Sequence, residues 1–379
     1  MEALKSLNYQ QFRAQGEHQT QVRQRIEDRV EYLVWLSAKE YAMQEAGGFQ
    51  ALEAGLHEEG EVNREVILLL LGLLYGHSKL SLVRRALQDR SQVSNRIFAL
   101  ELIDNLLDDE DKKRLMPLFE AKRPVHQIRY FKHRYPQSPR SQEDHLRDII
   151  IHTQANTGLW IKAHAMRLLG PRVQALPQEI AACLYHPHPL IHQTAAAVIS
   201  RHFPADWPHM LSKLPREQAR QLYELVEENQ DQEQYIYHKV ELMLRIPIFR
   251  TLPHFRMLDL AQAFSVRHFR PHEELHFSRM RDREVVCIVI DGALEAYRDD
   301  NSYFWFSKHQ VFIQDIIPDT PTVKLASRRG CTVLTMDREH FFDLAIHQPS
   351  LIEALLEGIH ATAQKDFEME NVLSILRNR

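Results

Sequence analysis

The chain has 379 residues, 44% of them hydrophobic and 26% charged, with a formal net charge of −4 and a pI near 6.6. That length exceeds one ordinary hydrophobic core, so two or more domains are expected, and the composition excludes a disordered or low-complexity chain. The mild negative balance leaves the molecule as a whole without the basic footprint of a nucleic-acid binder. Cys183, Cys287 and Cys331 stand singly among apolar neighbours, without the spacing of a disulfide framework or zinc site, and read as core residues of a reducing compartment. The longest apolar run, residues 66–75, is far short of the roughly 20 residues of a membrane span. The first residues carry neither a signal h-region nor transit-peptide character, so a cytoplasmic chain, or one at the cytosolic face of a membrane assembly, is expected.

Residues 1–48 read as a long helical segment. Ile26, Val30, Leu33, Val34, Ala38 and Tyr41 recur at three- and four-residue steps, and the pattern stops at Gly47-Gly48. From 49 to 245 the texture stays helical, with breaks at Asp108-Asp109, Gly170-Pro171, residues 186–189 and Pro204. Within it a basic or imidazole residue leads small or apolar residues three, four and seven places on: Arg64, Arg96, Lys162 and His192, spaced by 32, 66 and 30 residues. Ala99, Ala165 and Ala195 fall at the small positions, where helices approach closely. A period near 30 with paired helices is the mark of an α-solenoid, and NRIFALELIDNLL and PLIHQTAAAVISRHF resemble HEAT repeats. The last helical pair is expected over residues 214–246, turning at 229–232.

After Ile246 the chain changes to short β-branched and aromatic runs at 265–269, 274–277, 285–297, 303–306, 323–327 and 332–336, with helices at 256–263, 338–345 and 350–364. A small barrel or jelly roll over 246–365 is expected, followed by a tail, 366–379. The order IPIFRTLP, FRPHEEL, VVCIVIDGALEAY and VLTMDREHFFDLAIHQPSLIEALLEGI resembles the cyclic-nucleotide-binding domain, with Gly292 at a structural glycine of that family. The resemblance implies a phosphate-binding cassette built on a Gly-Glu pair and an Arg. Here Ile313, Gln314 and Thr322 stand at those positions, and Lys324 or Arg328 would offer only a displaced charge. A charge-assisted bond to phosphate contributes about 1.5–3 kcal/mol, so the resemblance implies a degenerate site and cyclic-nucleotide binding is not expected.

Two clusters invite other chemistry. Cys183, His186, His188 and His192 suggest a metal, but two prolines splay the imidazoles and no second Cys or carboxylate completes a tetrahedral set, so an inter-helix turn is expected. Arg129, Lys132 and Arg134, interleaved with Tyr130, Phe131 and Tyr135, have a texture that binds single-stranded nucleic acid; on a negatively charged chain, a solvated or protein-binding face is the preferred reading. No G-x-S-x-G elbow, Walker loop, dinucleotide fingerprint or H-E-x-x-H helix is read, so neither an enzyme nor a cofactor is expected.

The functional expectation is a non-catalytic regulatory module acting on a protein partner. The alternative is a small-molecule or cyclic-nucleotide sensor working through the β-roll; a transcription regulator is disfavoured, because only a short tail follows the roll. Helical repeats joined to such a roll also resemble the soluble C-terminal region of bacterial relatives of the nucleotide (ATP/ADP) transporters, which implies a membrane transporter as the partner.

Overall fold

The computed structural model describes residues 2–347 except 89–92, 121–122, 139, 153–157, 229–234, 250–251, 253, 277–283, 299–302 and 314–322. Contacts divide the chain into two compact units, Met1–Arg172 and Val173–Arg379. The described residues are mostly helical, and their strands all lie in the second unit.

The first unit contains α1 (Glu2–Tyr9), α2 (Glu17–Ala46), α3 (Gln50–Tyr75), α4 (His77–Gln88), α5 (Val93–Leu106), α6 (Asp109–Glu120), α7 (Pro124–Phe131), α8 (Gln142–Ile151) and α9 (Leu159–Leu169). α2 ends because Gly47 and Gly48 take φ of 68° and 79°, which reverses the chain into α3. The apolar stripe read from the sequence is buried at Ile26, Val30, Leu33 and Val34, and α2 packs along α3. α1 is fastened by Asn8, whose amide donates to Leu69 O at 2.9 Å; Gly72 makes room, since a Cβ there would collide with Asn8 Oδ1.

α7 and α8 return to pack on α2, and α9 packs on α3. This closes the unit into a bundle, whereas stacked repeats touch only their neighbours, and the expected HEAT-like repeats are not shown over this part of the chain. The repeat leaders have a more local explanation. Arg64 Nε donates to Leu118 O at 3.1 Å and Arg96 to Phe119 O at 2.8 Å, with Gln127 of α7 adding a bond to Leu118 O at 3.2 Å. Three helices thereby satisfy the orphan carbonyls at the end of α6, and two of the donors are cations suited to the negative end of the helix dipole.

The second unit contains α10 (Gln178–Cys183), α11 (Pro189–His202), α12 (Trp207–Ser212), α13 (Arg216–Glu228), α14 (Ile236–Leu244) and α15 (His254–Ala263). There follow β1 (Phe264–Phe269), β2 (Glu273–His276), β3 (Glu284–Gly292), β4 (Leu294–Arg298), β5 (Tyr303–Phe306), β6 (Val311–Ile313), β7 (Val323–Ser327), β8 (Cys331–Asp337) and α16 (Arg338–His347). The strands form two antiparallel four-stranded sheets in the orders β1-β8-β3-β6 and β2-β7-β4-β5. That is the interleaved order of a jelly roll. The run expected as one strand over 285–297 is two, because the chain leaves the first sheet at Gly292 and enters the second at Leu294. β6 has three residues, too few to give a periodic signal. The helix expected at 350–364, the tail 366–379 and the turn at 229–232 lie outside the described residues.

Both faces of the first sheet are buried. One row, Phe269, Cys287, Val289, Cys331 and Val333, packs with Leu294 and Phe306 of the second sheet to fill the roll. The alternate row includes Phe264, Val266, Val286, Ile288, Leu334 and Met336, and α14, α15 and α16 contact strands of this sheet. Lys239 of α14 is buried with its ammonium donating to Phe264 O at 2.7 Å, just past the end of α15, and burial pushes its pKa down to about 8.

Candidate functional site

The resemblance places ligand chemistry at the β6–β7 connection. β6 lies in one sheet and β7 in the other, so this connection joins the two sheets of the roll. Ile313 ends β6, paired in register with Val286, and Lys324 sits in β7 opposite both His276 and Tyr297. Gln314 and Thr322 lie outside the described residues.

Gly292 and Gly330 hold one end of the roll. Gly292 has φ of +80°, and a Cβ there would lie 2.5 Å from Gly330 O, while Gly330 itself has φ of +85°. The positive φ strains other residue types, and the backbone contact leaves a side chain no room. Among the described residues the packed interior holds Cys287, Val289, Leu294 and Val333 at 0% exposure, an apolar filling. Just outside it, Arg328 Nε lies 3.0 and 3.1 Å from the two carboxylate oxygens of Glu295, itself only 1% exposed. Ser327 Oγ braces the same corner by donating to Ala293 O at 2.9 Å. The Arg328 cation is therefore already matched by a buried carboxylate, and an anion approaching it meets that negative charge as well.

The other sequence candidates are placed as follows. Ala99, Ala165 and Ala195 are all at 0% exposure. Arg129, Lys132 and Arg134 are exposed on and just after α7, but the interleaved rings are engaged by the protein. Phe131 is buried, Tyr130 Oη donates to Lys113 O at 2.8 Å, and Tyr135 Oη bonds Glu27. Arg134 forms an ion pair with Glu27 at 2.7 Å. Phe131 and Tyr135 are thus held by the protein, while the Tyr130 ring stays exposed.

The histidines of residues 186–192 form a turn between α10 and α11. His186 Nδ1 accepts from His188 N at 3.0 Å, His188 Nδ1 accepts from Leu190 N at 3.2 Å, and His192 Nδ1 faces His186 O at 3.0 Å. Among the described residues no group of three or more His, Cys, Asp or Glu is arranged to hold a metal ion.

Sequence reasoning passed over His272-Glu273-Glu274-Leu275-His276, which has the H-E-x-x-H spacing. The motif needs a helix, where positions i and i+4 share a face. Here Glu273–His276 is strand β2 and His272 sits before it at φ of 65°, so the two histidines are about 13 Å apart at strand rise. Glu273 accepts from Arg270 N at 2.9 Å, and the turn accounts for it.

A second centre gave no sequence signal. In the first unit the buried Lys39 of α2 bonds Asp148 of α8 and lies 3.2 Å from His145 Nδ1. Arg140 lies 3.3 Å from Asp148, and Trp35 Nε1 donates to it at 3.2 Å while stacking on His152 at 4.0 Å. Burial pushes the Lys39 ammonium down in pKa against the pull of Asp148; burial and the Lys39 charge push His145 down. With Lys39 at 2% exposure, the cluster joins α2 to α8.

No family model matches the chain, and no curated protein matches it. Among solved structures it is similar to the regulatory subunit of a cAMP-independent protein kinase A from Trypanosoma cruzi bound to guanosine. That match has 18% identity and a TM-score of 0.30, covering 44% of this chain and 57% of that one. The counterpart from Trypanosoma brucei matches at 18% identity and a TM-score of 0.30, with 43% and 58% covered. The sensor domain of the transcriptional regulator DNR from Pseudomonas aeruginosa matches at 12% identity and a TM-score of 0.26, with 36% and 97% covered. The chain thus spans under two thirds of the two kinase regulatory subunits. Superposition at this level adds nothing to what the strand pairings establish.

Proposed function

We propose that this chain is a non-catalytic regulatory module that works by binding a protein partner, its jelly roll serving as a packed docking unit with no working cyclic-nucleotide site. The observation that carries the reading is the state of the roll: an interior filled by its own apolar side chains, with the neighbouring cation, Arg328, matched by the buried Glu295. Ile313, Gln314 and Thr322 in place of Gly, Glu and Arg support the same reading. A cytoplasmic setting belongs to the proposal, as does an α-solenoid character for the helical part of the second unit. Among the described residues no helix is long and apolar enough to cross a membrane. A transporter as the partner rests on the sequence resemblance alone.

The test is the melting temperature of the full chain in millimolar cyclic AMP or cyclic GMP. A ligand that binds only the folded state must stabilise it by RT ln(1 + [L]/Kd). No shift is expected. A rise of several degrees, lost on substituting Gln314 or Lys324, would replace this reading with the alternative, a small-molecule sensor.

A further inference from the structure

The turn between α10 and α11 carries three imidazoles in different hydrogen-bonding roles. His188 is the N-cap of α11, with φ −82° and ψ 127°, and its Nδ1 accepts the amide proton of Leu190 at 3.2 Å. His186 Nδ1 accepts the amide proton of His188 at 3.0 Å. In both bonds the donor is a backbone N–H, so each Nδ1 must carry a lone pair and each ring must be neutral with its proton on Nε2. His192 Nδ1 faces a carbonyl, His186 O, and so donates; protonation leaves that bond intact.

An Asn, Asp, Ser or Thr cap accepts from the helix at any physiological pH, whereas an imidazole accepts only while unprotonated. His186 and His188 are both half-buried, so protons reach them. The charged and titratable groups that act on His188 are Asp259 of α15, which favours the imidazolium, and His192, which opposes it. Burial also opposes it and outweighs Asp259, so the ring stays neutral at neutral pH and protonates below the ordinary histidine range.

The turn so capped is also a cap. Gln193, one residue past the first turn of α11, accepts from Ile236 N through Oε1 at 3.2 Å, which satisfies the first amide of α14. α14 in turn holds the root of β1 through Lys239 and Phe264 O.

We infer that His188 is a proton-operated N-cap. Neutral, it closes the first turn of α11 and keeps Gln193 on α14. Protonated, it places an N–H against the Leu190 amide, opens that turn and loosens the start of α14. Acidification thereby loosens the helical layer of the second unit where α11 meets α14.

The experiment is hydrogen exchange by mass spectrometry on the full chain, following peptides that cover the first turns of α11 and α14. It is run at about pH 7.5 and about pH 4.5, the lower value below the ordinary histidine range, with rates corrected for the intrinsic pH dependence. In the wild type, protection of both turns should fall about fivefold on acidification, the size of a lost N-cap. His188→Asn, a cap at every pH, should keep its protection, and His188→Ala should be low at both pH values. Unchanged wild-type protection would overturn the inference, and so would an equal fall in His188→Asn, which would assign the titration to His186 or His192. A fall at α11 with α14 unmoved would overturn the transmission through Gln193.

Discussion

Replacing Lys239 by Met removes a buried ammonium that donates to the main-chain carbonyl of Phe264 and whose pKa is lowered by burial. Its pKa is pushed down to about 8 by burial, against an ordinary lysine value of about 10.4. The sign follows from the depressed value. Above the ordinary value the amine is neutral in both states and folding carries no penalty. As pH falls through the interval the unfolded chain binds the proton first, and stability is lost until the folded amine is protonated too. The full interval corresponds to about 3 kcal/mol, of which about 2.5 kcal/mol lies between pH 7 and pH 10. Met retains the apolar stem and abolishes the titration, at the cost of leaving Phe264 O without that donor, about 1–3 kcal/mol independent of pH. Urea unfolding of wild type and Lys239→Met at both pH values gives the result as a difference of differences, which cancels the other titrating groups. The wild type should gain about 2 kcal/mol or more on the variant as pH rises to 10. Parallel stabilities would mean that Lys239 is solvated and that α14 does not seal the root of β1.

Three further substitutions probe the packing. Gly292→Ala forces a Cβ to 2.5 Å from Gly330 O at φ of +80°, so a destabilisation well above the roughly 1–2 kcal/mol of left-handed strain alone is expected in thermal unfolding. A wild-type melting temperature would show that the β3–β4 turn is wrong. Ala195→Leu overpacks a position at 0% exposure and should cost about 1–3 kcal/mol in denaturant unfolding, far more than Ala→Leu at a surface site; an unchanged midpoint would refute the close helix approach. Asp148→Asn leaves Lys39 buried without its counter-charge and should cost about 3 kcal/mol or more, whereas Asp148→Asn in a Lys39→Met background should cost much less. Equal costs in the two backgrounds would show that the pair is not coupled.

Local structure was legible wherever local chemistry decides it. Gly47-Gly48 ended α2, the apolar steps gave its buried stripe, and the β-branched runs marked most of the strands. What the sequence could not display is what covers each apolar face. α14 read as the close of a helical array ending at 245, yet it also packs against the roll, with Val240 and Met243 buried, and the compact division falls at Arg172 and Val173. Arg64 and Arg96 looked like equivalent positions of a repeat because both precede small and apolar residues. Their shared property is instead a common target, the carbonyl end of α6. A helical lysine normally signals solvent, so nothing distinguished Lys39 or Lys239 from exposed neighbours until their carbonyl and carboxylate partners, 25 to 109 residues away, were seen. At the candidate site the cassette substitutions were readable from the resemblance, but the Glu295–Arg328 pair was not, because it joins β4 to the turn after β7, 33 residues apart.

The most direct test of the regulatory reading is a calorimetric titration of two proteins side by side with cyclic AMP and cyclic GMP. One is the wild type; the other carries Ile313→Gly, Gln314→Glu and Thr322→Arg, which return the cassette residues that the resemblance implies. The account predicts no heat of binding from the wild type and measurable binding from the triple variant, since a restored charge-assisted pair to phosphate is worth about 1.5–3 kcal/mol. Saturable wild-type binding in the micromolar range, unaffected by Gln314→Ala, would contradict it and make the roll a nucleotide sensor with a different site.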